Sequence, residues 1–315
     1  MVSVRRPWEV VLKLLRLHSV CEVLRQAIQI RPSMIPYILF KAVFRYPLYI
    51  FVLLLFVGNP SSLVELLLFR NRIRNLDFRF GLGRHILNID YLLLFARLIL
   101  HGVFCYRVGE KVFVAFKGGL ISCPDARYTA FLTEPYEKLY KVFDLYGAAL
   151  DVGGYCGETA FLLKKWGATK VVVYEADPVL AKHARVTLLL NGVRGVVHEL
   201  CVNCPSLHNS ISWDEILKEK FDMAKVDCEG CEIGLLTLSD DQIRKVPRWI
   251  IECHDSQTLK KLSEKFQRAG FTVTFKPYTW RPGYHILGNE RIFHPQAEIP
   301  EGFLYIMTAR LNNGL

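Results

Sequence analysis

The segment that most constrains this chain runs from Ala148 to Glu175. A short apolar strand, Ala148 to Val152, enters the glycine-rich turn Asp151-Val-Gly-Gly-Tyr-Cys-Gly157, a helix follows from Glu158 to Trp166, and Lys170 to Glu175 (KVVVYE) forms a second apolar strand. Strands that are apolar on both faces must be covered on both faces, so a strand–helix–strand unit of this kind belongs to a parallel sheet sandwiched between helices. The pattern continues to the C-terminal end. A helix spans Pro178 to Asn191, with Pro178 where its missing N–H costs nothing, then a strand Val193 to Val202, a helix Ser212 to Lys218 and a strand Phe221 to Asp227. A short helix after Gly230, a strand Trp249 to Cys253, a helix Ser256 to Ala269, a strand Phe271 to Phe275 and a last strand Phe303 to Thr308 complete the series. The fold class this predicts is α/β, a doubly wound, seven-stranded, mostly parallel sheet over residues 133–315.

The first part of the chain reads differently. Residues 1–102 form a basic, apolar, helical region and 103–132 a β-hairpin and linker. Amphipathic helical patterns occupy 8–30 and 61–73, the latter ending at Arg70, Arg72 and Arg74; a further helix spans 91–100. VFCYRVGEKVFVAF, 103–116, alternates about Gly109-Glu110 as a hairpin does. Residues 48–57 (LYIFVLLLFV) are continuously apolar, but a bilayer needs roughly 20 such residues, so the run predicts a buried or interfacial helix. Charged residues interrupt 1–30 where a signal peptide would need an apolar core, which points to the cytoplasm. Of the net charge of +10, residues 1–130 carry +11, with 18 Lys and Arg against 7 Asp and Glu. That imbalance suggests an anionic partner: peripheral contact with a membrane is expected, and nucleic acid is not, because no aromatic stacking platform accompanies the arginines.

In a doubly wound sheet the ligand lies at the carboxyl ends of the strands, where the strand order reverses. The turn after the first strand should therefore touch a cofactor, with Gly153 and Gly157 allowing close backbone approach. It departs from the dinucleotide pattern G-x-G-x-x-G, since Gly154-Tyr155 stands where that pattern has its second glycine and Asp151 precedes the turn. A pyrophosphate would be repelled by Asp151, whereas a cationic cofactor would be attracted. Glu175, ending the second strand, sits where ribose hydroxyls would lie, and Asp177 is the expected helix cap.

DVGGYCGETA, YEADP, KVDCEGCE and IIECHD together resemble the FkbM-type methyltransferases, a branch of the seven-stranded class I enzymes, over residues 133–309. The resemblance implies S-adenosylmethionine as cofactor and a hydroxyl acceptor on a sugar, glycan or lipid-linked small molecule. Carried over residue by residue, it puts Asp151, Gly153, Tyr155 and Gly157 around the methionine part, Glu158 near its ammonium and Glu175 on the ribose. Asn191 and the loop after Val202 would border the adenine. Asp227 and His254 would face the acceptor, His254 as base because its ordinary pKa lies near neutrality and Asp227 to orient it, bind the acceptor hydroxyl or help neutralise the sulfonium. Glu229 and Asp255 remain candidates, and Lys225 receives no role.

Three other readings stand beside this one: a nicotinamide enzyme, opposed by the missing middle glycine; an RNA methyltransferase; and a non-enzymatic membrane- or nucleic-acid-binding protein with a degenerate domain, opposed by the intact Asp151, Gly153, Gly157 and Glu175. Cys201, Cys204, Cys228 and Cys231 have the spacing of a zinc ribbon, of two short disulfides, or of buried thiols, and the residues alone leave these open. No metal is assigned.

Overall fold

The structure, a computed structural model, describes residues 29, 33, 35–63, 74–79, 82–87, 96–108, 111–204, 206–281, 284–296 and 299–312. Contacts divide the chain into two compact units, Met1–Glu134 with Arg281–Tyr284, and Pro135–Trp280 with His285–Leu315.

In the first unit, helix α1 (Ile35–Phe56) is 22 residues long and passes through Pro47, so the apolar run of 48–57 is the end of a longer helix. Tyr49, Val52, Leu53 and Val57 are buried, while Leu48, Phe51, Leu54 and Leu55 are exposed. The helix end is pinned to strand β1 (Arg74–Phe78): Gly58 N donates to Asp77 O at 2.6 Å and Arg79 N to Phe56 O at 2.7 Å. β1 pairs antiparallel with β2 (Gly83–Leu87). Arg74, expected to close a helix, therefore opens a strand; residues 61–63 and 96–100 are helical, and the rest of the helices expected over 61–73 and 91–100 lies outside the described residues, as does all of 8–30 except residue 29. The hairpin is present as β3 (Phe104–Val108) and β4 (Lys111–Phe116), but the expected linker adds a third strand, β5 (Gly119–Cys123). The turn that allows it, Lys117-Gly118, has positive φ at both residues, and Gly118 adopts it without steric cost. Among the described residues no helix is long and apolar enough to cross a membrane.

The second unit is the doubly wound layer. It opens with α2 (Tyr136–Leu139), β6 (Ala148–Val152), α3 (Glu158–Lys165), β7 (Lys170–Tyr174), α4 (Pro178–Leu190) and β8 (Gly195–His198). The short strands β9 (Cys201–Val202) and β10 (Ser210–Ile211) come next, with α5 (Trp213–Ile216), β11 (Met223–Val226), a 3₁₀ segment Cys231–Thr237 and α6 (Asp240–Arg244). β12 (Arg248–Cys253), α7 (Ser256–Arg268), β13 (Phe271–Arg281), β14 (Tyr284–Leu287), β15 (Arg291–Ile292) and β16 (Leu304–Leu311) follow. The sheet order is β14-β13-β16-β12-β11-β6-β7-β8, with β15 pairing on β13. From β8 to β12 the neighbours are parallel, and β16 enters antiparallel between β12 and β13.

The mostly parallel sheet is thus present, with nine strands where seven were expected. β14 and β15 extend its edge, and the expected strand 193–202 breaks: β8 joins the sheet, but β9 pairs with β10 in a separate ribbon. The chain runs outward from β6 to β8 and then returns to β11 on the other side of β6, so the strand order reverses between β6 and β11. There Asp151 lies in register with Lys225 and Val152 with Val226. The helix-covered core is closed by edge-to-face aromatic pairs, Trp213–Trp249, Trp249–Phe266 and Phe266–Phe271, with ring centroids 6.1, 5.6 and 5.3 Å apart.

Candidate active site

The turn after β6 is built so that backbone, not side chain, lines the switch point. Gly153 has φ +76°, and a Cβ there would stand 1.6 Å from the Asp227 carbonyl oxygen. Gly157 caps α3 at φ +83°. Tyr155 takes a positive φ of 46°, which aims its N–H at Glu175 Oε2, 2.7 Å away; Asp177 N donates to Glu175 Oε1 at 2.9 Å. Glu175 is thereby fixed at the end of β7 with lone pairs left over for hydroxyl donors. Asp177 caps α4 by accepting from Val179 N and Leu180 N.

Beneath the turn lies a buried charge cluster. Asp151 is fully buried; Oδ2 accepts from Thr159 Oγ1 at 2.6 Å, while Oδ1 faces Lys225 Nζ at 3.3 Å without a well-formed hydrogen bond. Lys225 Nζ also donates to Gly153 O at 2.9 Å and lies 3.5 Å from Asp227 Oδ2. Burial works against the Lys225 charge, but Asp151, Asp227 and Glu158 hold it ionised above the usual lysine range. Glu158, in the first turn of α3, is buried; among the described residues Oε2 has no hydrogen-bond partner, and Tyr136 OH lies 3.5 Å from Oε1. Burial pushes the Glu158 carboxyl up to about 8. Among the described residues Lys225 is thus the cation paired with Asp151 and Asp227 and near Glu158, a role that the sequence alone did not assign.

On the β11 and β12 side, Asp227 and His254 are not in direct contact. His254 is held by Glu232, whose Oε1 is 3.2 Å from Nδ1, and by Glu229, whose Oε2 is 3.2 Å from Nε2; Glu252 Oε1 lies 4.0 Å from Nε2. The Glu232 hydrogen bond, outweighing burial, raises the imidazole to about 9. Tyr140 OH lies 3.1 Å from both Asp227 Oδ2 and Glu252 Oε2. Asp255, one remaining candidate, caps α7 through Thr258 N and Oγ1.

Asn191 is a correction. It ends α4, 13 residues of helix or about 20 Å from the Glu175 end, and its Nδ2 donates to Thr187 O at 2.7 Å. The strand that ends beside Glu175 is β8, where Glu175 N donates to His198 O, and the His198 ring stacks on Tyr174; Val202 belongs to the separate ribbon. The cysteines form two disulfides, Cys201–Cys204 and Cys228–Cys231, so their sulfurs are not thiolates free to hold zinc. Among the described residues no His, Cys, Asp and Glu cluster has metal-binding geometry.

No family model matches the chain, and no curated protein matches it by sequence. Among solved structures, TYW2 of M. jannaschii in complex with AdoMet is similar over 66% of this chain and 88% of its own, at 12% identity and a TM-score of 0.37. Precorrin-6y C5,15-methyltransferase of Geobacter metallireducens is similar over 63% and 94%, at 16% identity and 0.36. TrmK of M. capricolum in complex with S-adenosyl-homocysteine is similar over 56% and 67%, at 10% identity and 0.35.

Proposed function

We propose that the α/β unit is an S-adenosylmethionine-dependent methyltransferase acting on a hydroxyl of a sugar, glycan or lipid-linked small molecule. The observation that carries this reading is the charge imbalance under the turn. Among the described residues Glu158 Oε2 is a buried oxygen without a hydrogen-bond partner, Asp151 Oδ1 has only the 3.3 Å ion pair with Lys225, and that lysine is also paired with Asp227. Buried acids in that state are stabilised as carboxylates by a cationic ligand, and the Gly153 cradle gives it backbone to lie against. Glu158 and Asp151 would hold the ammonium end and Glu175 the ribose. When bound, the cofactor supplies a methyl group to the acceptor oxygen and leaves as a neutral thioether, so the protein has only to align the acceptor and take one proton.

Asp227, 26% exposed at the carboxyl end of β11, is suited to hold the acceptor hydroxyl, and His254 stands beside it at the end of β12. With both ring nitrogens on carboxylates and a pKa of about 9, His254 rests as an imidazolium at neutral pH and acts as a base only when that proton has left. The apolar outer face of α1 and the +11 charge of residues 1–130 support peripheral contact with an anionic membrane, which would bring a lipid-linked acceptor to the enzyme. The same charge supports RNA as a second acceptor, distinguished by binding that weakens steeply with salt.

Calorimetric titration with S-adenosylmethionine tests the reading. The wild type is expected to bind at about micromolar Kd, and Glu175→Ala to weaken binding by about tenfold or more, the loss of hydrogen bonds to a charged group. Equal affinity in both proteins would remove Glu175 from the site, and no binding by the wild type would end the methyltransferase reading.

A further inference from the structure

Tyr140, just after α2, is 87 and 112 positions from the two carboxyls its hydroxyl touches, Asp227 Oδ2 and Glu252 Oε2, each at 3.1 Å. A phenol has one proton to donate. It can donate in full to one carboxylate; a second full hydrogen bond forms when that carboxyl carries a proton and donates it to the phenol oxygen, whereas one proton divided between two carboxylates would leave both underbonded and adjacent. The geometry therefore calls for one stored proton on Asp227 or Glu252.

Glu252 is the one that holds it. Its side chain is 10% exposed against 26% for Asp227, and the Lys225 ammonium lies 3.5 Å from Asp227 Oδ2, on the far side of the phenol from Glu252. Burial first, and the Asp227 charge second, push the Glu252 carboxyl up to about 8. The groups facing Glu252 are Lys225 from β11 and Asp227 just after it, Tyr140 from beyond α2 and His254 from its own strand end. Glu229 and Glu232 reach only His254 among these.

We propose that Asp227, Tyr140 and Glu252 form a proton relay that stores one proton at neutral pH and, once emptied, receives the proton of the acceptor, with His254 as its outlet to solvent. The proposal rests on the methyltransferase reading and excludes acceptors that lose no proton on methylation, such as a thioether or tertiary amine, in keeping with the hydroxyl of that reading. In the step, the acceptor O–H bond breaks and its proton goes to Asp227. Asp227 passes a proton to the Tyr140 oxygen as the phenolic proton moves to Glu252; the electron pair left on the acceptor oxygen would form the new C–O bond to the donor's methyl group as the methyl–sulfur bond breaks, its electron pair staying on the departing thioether sulfur. Asp227 and Tyr140 end as they began, and Glu252 has gained one proton. Glu252 then discharges across the 4.0 Å gap to a neutral His254, which is partly open to water. Tyr140 and Glu252 are positioning residues that act through Asp227.

Infrared titration of the full chain, from about pH 6 to about pH 10, reads the stored proton through the carboxylic-acid carbonyl band. Glu158 contributes a second such band, so Glu158→Gln serves as the background. In it, one band titrating with a midpoint of about 8 is expected. Adding Glu252→Gln should abolish that band, and adding Tyr140→Phe should keep it but move its midpoint by about half a unit or more, the effect of one hydrogen bond. Absence of a titrating band in the Glu158→Gln background, its survival in the double variant with Glu252→Gln, or an unmoved midpoint with Tyr140→Phe would overturn the relay. Calorimetry of the wild type with S-adenosylmethionine separates the two claims: without binding the methyltransferase reading falls, whatever the infrared bands show.

Discussion

Glu158 and His254 sit on opposite sides of the switch point and are perturbed for different reasons, the first by burial without a partner and the second by hydrogen bonds to carboxylates. Below about pH 8 empty Glu158 is protonated; a bound ammonium favours its carboxylate, so binding must expel a proton. Affinity for S-adenosylmethionine should accordingly rise between about pH 5 and about pH 8 and fall above, where the free cofactor's α-ammonium loses its own proton, and calorimetry below about pH 8 in buffers of different ionisation heat should record the released proton. Glu158→Gln should bind more weakly and lose that rise. For His254 the sign is opposite. Its carboxylate contacts stabilise the fold fully below about pH 6.5 and cease to do so as pH rises through about 9. Replacing Glu232 by Gln should lower the imidazole pKa by about one unit or more in an NMR titration; an unchanged value would mean that the Glu232 contact is not formed in solution. Much of this site was legible because Asp151, Gly153, Gly157 and Glu175 follow one another at the ends of two consecutive strands. Tyr140 was not, since its partners come from distant strands and no local pattern announces a hydroxyl between two carboxyls.

The elements that sequence reading placed well are those whose cause is local. β6, β7 and β12 are short apolar runs, and Asp177, Ser212 and Asp255 cap their helices by accepting from backbone N–H groups. The direction of β16 and the detour of β9 into its own ribbon are set by which neighbour each strand finds, and the apolar pattern is the same either way. Asn191 failed for a related reason, because its distance from Glu175 depends on the full length of α4. Two substitutions probe the elements that frame the site. Gly153→Ala would force a Cβ to within 1.6 Å of the Asp227 carbonyl, so the turn must move away from β11. A loss of about 2 kcal/mol or more in urea denaturation, together with loss of cofactor binding, is expected. Trp249→Ala, at the centre of the aromatic core, should cost about 3–5 kcal/mol by the same measurement, and S-adenosylmethionine should still bind the folded fraction.

Across the whole molecule, the two units carry different chemistry: the charge excess lies in residues 1–130 and the buried acid cluster in the α/β unit. Each unit has its own core, so thermal unfolding should show more than one transition. The disulfides Cys201–Cys204 and Cys228–Cys231 both lie in the α/β unit and close very short loops. Reductant should lower the stability of that unit by about 2 kcal/mol per bridge, read in its own transition. Binding to anionic lipid vesicles should depend on the outer face of α1, and Leu48→Glu with Phe51→Glu should abolish it if that face enters the interface. The central claim is tested most directly by a crystal structure of the protein with S-adenosylmethionine. The cofactor is expected over Gly153–Gly157, its ammonium within hydrogen-bond reach of Glu158 Oε2 and its ribose on Glu175. Density for it elsewhere, or an unliganded turn in crystals grown at saturating cofactor, would contradict that assignment.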